Sequence, residues 1–351
     1  MLLENINNSY ITIIGLLSFI IFYIISKISK TKKFQNILDH DFNKPQAFHN
    51  ELIPRTGGLA SIISLTVFFI TFSLIFNYKS YEYIFFSITF FTVGFLDDIK
   101  INLKPLIRLF LMIVFLIVGL NFFDIKITKT GFSFLNFWLE NDIFQYIFLI
   151  LCFLFVANGS NLIDGFNGLL IIHILIINSV LLYVNLNNGE ENMILILSGQ
   201  IIVMFCFLLF NFPKSTMFMG DGGAYLFGVL TSLNVINTSI SFPEISPLFF
   251  TVLLFYLFFE VFFSFFRKLK ANKSPLQPDS THLHMLIFKF LKNRKKLNNA
   301  NPKTSLLINF FFFLMLIPAL MFREDGLFCR YWFLIQLFTY FLLYNFTKKL
   351  N

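Results

Sequence analysis

Long apolar blocks separated by polar segments run through most of the chain, and they constrain its fold more than any other feature. Eleven such blocks lie near residues 10–26, 57–76, 80–96, 106–122, 142–158, 168–185, 193–210, 222–240, 247–266, 305–322 and 330–347. Each has about the length that a helix needs to cross a ~30 Å hydrocarbon core. The sequence therefore predicts an all-α, polytopic transmembrane helix bundle of about eleven spans, and ten spans also fit the pattern.

The composition supports a membrane protein over a soluble one. Hydrophobic residues make up 57% of the 351 residues and charged residues 13%, whereas soluble domains carry about 25% charged residues. These values exclude a soluble globular protein, a disordered chain and a nucleic-acid-binding domain. The net charge of +8 has a simpler explanation in membrane orientation than in nucleic-acid binding. We expect a single integral membrane domain over residues 1–351.

The distribution of Lys and Arg predicts the orientation in the membrane. Of the 27 basic residues, 22 lie in the segments 27–56, 97–108, 211–221, 267–304 and 348–351. Basic residues are enriched in cytoplasmic loops, so we expect these segments inside, the N-terminus outside and the C-terminus inside. The segment 267–304 is then a basic cytoplasmic loop, with a short helix expected near 282–296.

Polar, glycine-rich motifs stand out because polar groups are costly in a membrane and usually functional. Five of them map to the predicted cytoplasmic side. They are Pro54-Arg55-Thr56-Gly57-Gly58, Gly94 to Lys100 with Asp97 and Asp98, Asn158 to Leu169 with Asn161 and Asp164, Phe218 to Gly223 with Asp221, and Asp279 to His284.

Several of these motifs have a structural interpretation beside the functional one. Gly57 and Gly58 permit close backbone approach and could hold an anion with their N–H groups, or they form a turn where a helix starts. Asp97 and Asp98 bind a cation or share a proton, or they are a solvated pair. Asp221 is expected near a helix N-terminus, either as a metal ligand or as a cap.

Other polar or reactive residues in the apolar blocks have ordinary explanations. His173 is expected to be a packed or hydrogen-bonded core histidine. Glu260 is expected to snorkel, to pair with a basic residue or to line a cavity. The three cysteines match no zinc or disulfide spacing and are expected to be apolar filler.

The polar motifs combine acids with bases in a way that suits one kind of chemistry. Carboxylates bind Mg²⁺, the metal binds diphosphate oxygens, and Arg, Lys and His neutralise the remaining negative charge. Phosphoryl transfer needs mainly positioning and charge neutralisation, so these residue types suffice for it. A membrane location implies that one substrate is a lipid.

In their order and spacing, the motifs resemble the polyprenyl-phosphate N-acetylhexosamine-1-phosphate transferases, which form glycosyltransferase family 4. The matching pieces are His49 with Pro54 to Gly58, Leu96 to Asp98, Asn158 to Gly165, Phe218 to Gly223, and Lys273 to Pro275 with Asp279 and His282 to His284. The first and last pieces look more like the GlcNAc-1-phosphate branch than the peptidoglycan translocase branch.

The resemblance implies a specific reaction. An N-acetylhexosamine 1-phosphate would move from a UDP-sugar to polyprenyl (undecaprenyl) phosphate, giving polyprenyl-diphospho-sugar and UMP. The expected cofactor is Mg²⁺, with Mn²⁺ as an alternative. The implied setting is the bacterial cytoplasmic (inner) membrane, with the active site on its cytoplasmic face, at the first membrane step of a cell-envelope glycan pathway. Translocase relatives are dimers, which raises a homodimer as one form of the protein.

The resemblance also implies residue roles. Asp97 would deprotonate or orient the lipid phosphate, and direct displacement and a phospho-enzyme route both stay open. The predicted catalytic residues are Asp97, Asp98 and Asp164. The predicted metal ligands are Asp221 and Asp98. The predicted substrate-binding residues are Arg55, Arg108, Asn161, Lys273, His282 and His284.

The sequence departs from the family pattern at three positions. Asn167 stands where the family usually has a second aspartate, so Asp164 is the remaining candidate carboxylate of this motif. Ser280 and Met285 stand where the family usually carries an arginine and a third histidine. These changes bear on diphosphate contacts and sugar specificity more than on the reaction.

Two other functions remain open at this point. A membrane transporter would place ionisable residues or broken helices at mid-membrane, often in two related halves. An intramembrane Mg²⁺-dependent prenyltransferase would need Asp-x-x-Asp or Asp-x-x-x-Asp pairs in two loops. The chain instead clusters its acids at one predicted face, with no evident repeat.

Overall fold

The structure is a computed structural model that describes residues 2–29, 52–101, 103–275 and 279–351. His49, which contributes to the resemblance, lies outside these residues, as does most of the basic segment 27–56. The described residues form fourteen α-helices, and no strand is found among them. The helices are α1 Leu2–Ile28, α2 Gly57–Phe76, α3 Tyr81–Asp98, α4 Pro105–Phe122, α5 Ser133–Trp138, α6 Asp142–Ile163, α7 Leu169–Asn188, α8 Glu191–Asn211, α9 Gly220–Ser241, α10 Pro247–Leu253, α11 Phe255–Lys270, α12 Leu283–Lys289, α13 Ala300–Met321 and α14 Gly326–Leu350.

Each of the eleven predicted blocks coincides with a helix or a helix pair, so the all-helical, multi-pass class is confirmed. Fewer helices are apolar enough to cross a membrane on their own. Eight of the described helices meet that requirement, or nine if the bent pair α10–α11 counts as one span. The two remaining blocks correspond to α3, which carries three acidic residues, and α9, which is rich in Gly, Ser, Thr and Asn.

The predicted block at 247–266 is not one straight helix. It breaks at Leu254, and α10 and α11 meet at an angle of 73°. Neither proline nor glycine lies between Leu248 and Lys270, so none of the usual sequence signals of a kink is present. The break turns α11 towards α6, against which it packs.

Helix α9 forms the centre of the bundle and packs against α2, α3, α6 and α7. Nearly all of its side chains are buried. Small residues permit the contact with α2, because a side chain at Gly58 would overlap the backbone of Gly223. Close backbone approach through glycine is a common way for membrane helices to pack.

Hydrogen bonds between buried amides also hold α9 in place. Asn234 exchanges hydrogen bonds with Gln200 of α8, and its side-chain amide also donates to Asn178 of α7 at 3.3 Å. Both ends of each pair are buried. These bonds fix the position of the helix whose N-terminus enters the candidate site.

The residues with ordinary sequence explanations behave as expected. His173 is buried, and its Nδ1 lies 3.0 Å from the side-chain oxygen of Asn309. The three cysteines are free thiols. The helix predicted near 282–296 exists as α12, followed by a π-helical turn over Phe290–Arg294.

Candidate active site

The site is built where the end of α3 meets the start of α9. Asp98, the last residue of α3, is only 4% exposed. Its two carboxylate oxygens accept hydrogen bonds from the backbone N–H groups of Asp221 and Gly222, each at 2.9 Å. The N-terminus of a helix favours an anion in this position. Asp98 therefore ties α3 to α9, and Arg55 adds a positive charge 3.9 Å from it.

A single arginine connects the other carboxylates of these two helices. Nη1 of Arg108, in the first turns of α4, lies 2.9 Å from an oxygen of Asp97 and 2.8 Å from an oxygen of Asp221. All three side chains remain partly accessible. The two carboxylates are thus held close together around one positive charge, which offsets their mutual repulsion.

The end of α6 contributes the third part of the cluster. The side-chain amide of Asn161 donates a hydrogen bond of 3.0 Å to the hydroxyl of Tyr225 in α9. Asp164 follows α6 directly and lies within electrostatic range of Asp221 and Arg55. Burial raises the pKa of Asp164 to about 7; the charge of Asp221 adds to this rise and Arg55 opposes it.

The two glycines at the start of α2 have a structural role. The N–H groups of Gly57 and Gly58 donate to the backbone oxygens of Phe218 and Met219, each at 2.8 Å. They are therefore not available to hold an anion, and that expectation is corrected. Their other expected property, close backbone approach, is present, and it fixes Arg55 beside the start of α9.

Asp221 also differs in part from its expected role. It lies in the first turn of α9, as predicted. However, the carboxylate that accepts hydrogen bonds from that helix end is Asp98, which comes from another helix. The side chain of Asp221 points instead to Arg108, which leaves it on the accessible side of the cluster.

The two predicted histidines form a second cluster around Glu260 of α11. Nδ1 of His282 lies 3.0 Å from one oxygen of Glu260, and the backbone N–H of Leu283 donates to the other oxygen at 3.2 Å. Glu260 is fully buried and His282 is 2% exposed. Of the three outcomes expected for Glu260, the structure supports pairing with a basic residue.

His284 lies beneath His282, and their rings stack with centroids 5.4 Å apart. Its Nδ1 is 3.3 Å from the hydroxyl of Tyr256. Burial lowers the pKa of His284 to about 3, although the charge of Glu260 opposes this shift. The ring is therefore neutral at pH 7 and supplies no positive charge.

A short loop connects the histidine cluster with the aspartate cluster. Phe166, two residues after Asp164, packs its ring edge-on against His284 with centroids 5.8 Å apart. Asn167 is anchored at both ends, because its N–H donates to Asn301 and its side chain to Pro213. Asn167 thus positions the loop, which is a structural use of a position where the family usually has aspartate.

Lys273 belongs to a third group of residues in the described part of the chain. It lines a basic cavity with Arg267, Lys268 and Lys348, in which Arg267 pairs with Asp279. No described contact joins Lys273 to the aspartates or to the histidine pair. The structure also describes the other two positions that depart from the family pattern. The backbone oxygen of Ser280 accepts a hydrogen bond from Lys289, and Met285 is fully buried.

The arrangement of oxygens fits a divalent cation at Asp97 and Asp221. Their carboxylate oxygens already converge on one positive group, the Arg108 guanidinium. Mg²⁺ in phosphate-handling enzymes is usually held by one or two carboxylates, with water and substrate oxygens completing the shell. Among the described residues, no group of three or more His, Cys, Asp or Glu forms a complete metal site. Because both carboxylate oxygens of Asp98 already accept backbone hydrogen bonds, Asp98 is a weaker candidate metal ligand than Asp97 or Asp221.

Sequence reasoning missed Tyr225 and the two tyrosines Tyr340 and Tyr344. Tyr225 holds Asn161, and Tyr340 donates to Glu260 at 2.8 Å. Tyr340 and Tyr344 occur in α14, which is rich in aromatic residues, and Tyr225 lies in α9. At none of the three positions does the sequence separate a hydrogen-bonding tyrosine from a packing one.

Comparison with known proteins agrees with this geometry. Residues 80–239 match the model of glycosyl transferase family 4. This region, a little under half of the chain, is therefore similar to glycosyl transferase family 4. The matched region runs from the start of α3 almost to the end of α9, so it includes Asp97, Asp98, Arg108, Asp164 and Asp221.

Curated relatives of the chain carry names from this family. An undecaprenyl-phosphate alpha-N-acetylglucosaminyl 1-phosphate transferase of Thermotoga maritima is 26% identical over 267 residues, 75% of this chain and 77% of the relative. A probable undecaprenyl-phosphate N-acetylglucosaminyl 1-phosphate transferase of Bacillus subtilis is 27% identical over 69% of this chain and 67% of the relative. A phospho-N-acetylmuramoyl-pentapeptide-transferase of Streptococcus gordonii is 29% identical over 67% of this chain and 73% of the relative. The names of these relatives favour neither the transporter nor the prenyltransferase.

Proposed function

We propose that the protein transfers N-acetylhexosamine 1-phosphate from a UDP-sugar to undecaprenyl phosphate, releasing UMP. An oxygen of the lipid phosphate attacks the β-phosphorus of the nucleotide sugar, and the bond from that phosphorus to the oxygen bridging to the α-phosphate breaks. The sugar and the β-phosphate leave with the lipid. The family and the names of its relatives support this reaction.

The observation that carries the proposal is the cluster at the junction of α3, α4 and α9. Carboxylates from two helices share one arginine there, beside a helix N-terminus whose backbone N–H groups already bind the carboxyl group of Asp98. The carboxylates of such a site can bind a cation, and the arginine and the helix N-terminus can bind a diphosphate. Binding of a diphosphate together with its cation requires both.

Each residue of the cluster has a proposed role. Asp97 orients or deprotonates the lipid phosphate, and Arg108 contacts phosphate oxygens once substrate enters. Asp221, with Asp97 near it, holds Mg²⁺ or Mn²⁺, which when bound would neutralise the diphosphate. Asp98 keeps α3 and α9 in register, and Arg55 balances its charge. Asn161 and Asp164 position the uridine or the sugar.

The histidine cluster supports the same reaction from the other end of the connecting loop. His282 is proposed to contact the diphosphate. His284 is neutral and buried, so its proposed role is to support the His282 ring by stacking. Lys273 is proposed to bind an anionic part of the substrate at the rim of the basic cavity, where three other cations lie.

The proposed topology follows from the basic segments. We propose eleven crossings, in which α3, α9 and the α10–α11 pair each count as one. The N-terminus is then outside and the C-terminus inside. The cluster that contains Arg55, Arg108 and the four aspartates faces the cytoplasm of a bacterial cell.

Identification of the released nucleotide tests the function. Membranes that contain the protein are incubated with undecaprenyl phosphate and, in parallel, with UDP-GlcNAc and other UDP-N-acetylhexosamines labelled in the sugar. The proposal predicts that at least one label becomes lipid-extractable while UMP accumulates. Release of UDP would contradict the proposal, because the sugar would then have moved without its phosphate.

A further inference from the structure

The final helix, α14, is hydrogen-bonded to the segment that carries His282 and to its surroundings. The side chain of Asn351, the residue after α14, donates to the backbone oxygen of Leu286 at 2.9 Å. Tyr344 accepts a 3.4 Å hydrogen bond from Arg267, which pairs with Asp279 near the start of the segment. A further hydrogen bond of 2.8 Å runs from Tyr340 to Glu260 of α11, which in turn contacts His282. Helix α14 lies outside the region that matches the family model.

Glu260 receives three hydrogen bonds that fix its carboxylate. One oxygen accepts from the Tyr340 hydroxyl at 2.8 Å and from the backbone N–H of Leu283 at 3.2 Å. The other oxygen faces Nδ1 of His282 at 3.0 Å. Tyr340, Glu260 and His282 are all at least 96% buried. A fully bonded, buried polar network has a defined geometry, because water cannot replace any of its members.

This arrangement determines which nitrogen of His282 can reach a substrate. A carboxylate only accepts hydrogen bonds, so Nδ1 of His282 carries a proton and is occupied by Glu260. The remaining nitrogen, Nε2, is the one left for a diphosphate. Where a carboxylate orients a metal-binding histidine in this manner, its loss typically costs about 10–100-fold in affinity or activity.

We propose that Tyr340 is a positioning residue that holds Glu260, and through it the imidazole of His282, in the orientation that contacts the diphosphate. This inference rests on the proposed function, since it gives His282 its task. It assigns a part of the reaction to the final helix, for which the sequence offered no role.

Removal of one hydroxyl group tests the proposal kinetically. The Tyr340→Phe variant keeps the ring, which packs edge-on against Phe259 at 4.9 Å and Phe263 at 5.4 Å. We expect kcat for UMP release to fall about tenfold, with little change in KM for the UDP-sugar. Tyr331→Phe, on an exposed part of the same helix, is the matched control and should leave both constants unchanged.

A double-mutant cycle separates positioning from general stability. If Tyr340 acts through His282, Tyr340→Phe should have almost no further effect in a His282→Gln background. An equal loss in both backgrounds, or no loss in the wild-type background, would overturn the proposal. Melting temperatures of all variants show whether each is folded.

A second measurement does not depend on turnover. In protein labelled with ¹⁵N-histidine, the His282 imidazole signals are assigned by their disappearance in His282→Gln. The proposal predicts that Tyr340→Phe shifts these signals and that Tyr331→Phe does not; unchanged signals in Tyr340→Phe would refute it. If the wild-type protein released no UMP, the proposed function would fail, and the nitrogen signals would still decide whether Tyr340 positions His282.

Discussion

At the scale of single residues, Arg108 is the group on which the candidate site depends most. It contacts carboxylates from two different helices through one nitrogen atom. Without it, Asp97 and Asp221 would repel each other in a partly buried position. The same guanidinium is the nearest positive group for a phosphate that enters between them.

Replacement of Arg108 by glutamine should therefore reduce turnover severely. We expect kcat to fall at least about a hundredfold, the usual cost of losing a group that stabilises transition-state charge. The measurement is UMP release by purified protein. Arg330→Gln, which removes an exposed arginine that donates a hydrogen bond to the backbone oxygen of Gly131, should behave like wild type. Equal activity of the two variants would contradict the role of Arg108.

Asp164 gives a prediction about pH. Its pKa is raised to about 7 from an ordinary value of 3.8, so the folded protein binds this proton more tightly than the unfolded chain does. The contribution of the protonated Asp164 carboxyl group to the free energy of unfolding is fully present below pH 4 and is lost as the pH rises through 7. In the absence of Mg²⁺ and substrate, the melting temperature of wild type minus that of Asp164→Asn should therefore decrease from pH 5 to pH 8. A difference that does not vary with pH would contradict the raised pKa.

At the scale of helices, the contact between α3 and α9 determines whether the carboxylates meet. A side chain at Gly94 would overlap the backbone of Asp221 and Gly222. The Gly94→Ala substitution should push the helices apart and break the hydrogen bonds of Asp98, with at least about a tenfold loss of activity. Gly326→Ala, where the added methyl group makes only an ordinary contact with Ser246, is the control. Full activity of Gly94→Ala would show that this close approach is dispensable.

The amide network of α9 gives a prediction about stability. Asn234→Leu leaves the Gln200 amide buried without its partner, which costs about 1–3 kcal/mol of the free energy of unfolding. We expect a lower melting temperature for this variant than for Asn187→Leu, which changes an exposed position at the end of α7. Equal melting temperatures would mean that the network does not hold the bundle together.

The positions of the helices could be predicted well from the sequence, but their contacts could not. Apolar length reports which segments leave water, and every predicted block contains a helix. It does not indicate which neighbours a helix contacts, because helices such as α9 are buried on almost every face and show no apolar stripe. The break at Leu254 and the pairing of Asp98 with the start of α9 arise from tertiary packing, so no local sequence pattern predicts them.

At the scale of the whole molecule, the order of the polar motifs predicted the family whose model residues 80–239 match, because chemistry restricts those positions more than packing restricts the spans. The aspartates were identified as a set, and the structure brings Asp97, Asp98, Asp164 and Asp221 into one electrostatic cluster. Tyr225, Tyr340 and Tyr344 were missed. Their importance comes from a hydroxyl at one place in the fold, which composition cannot reveal.

The proposed orientation in the membrane gives a prediction for the whole chain. A fluorescent protein fused after Asn351 should fold and fluoresce in the bacterial cytoplasm, while alkaline phosphatase fused at the same point should be inactive. A cysteine placed at Lys126, between α4 and α6, should react with an impermeant thiol reagent added outside the cell. The opposite pattern would reverse the topology and place the aspartates on the external face.

The fate of the β-phosphate tests the central claim most directly. Purified protein is given undecaprenyl phosphate, Mg²⁺ and UDP-GlcNAc or the UDP-sugar preferred in the membrane assay, radiolabelled at the β-phosphorus. The account predicts that the label passes into the lipid fraction as UMP appears, and that Asp97→Asn, Asp164→Asn and Asp221→Asn each slow this transfer strongly. Label that stays with the nucleotide, or near-wild-type transfer by all three variants, would contradict it.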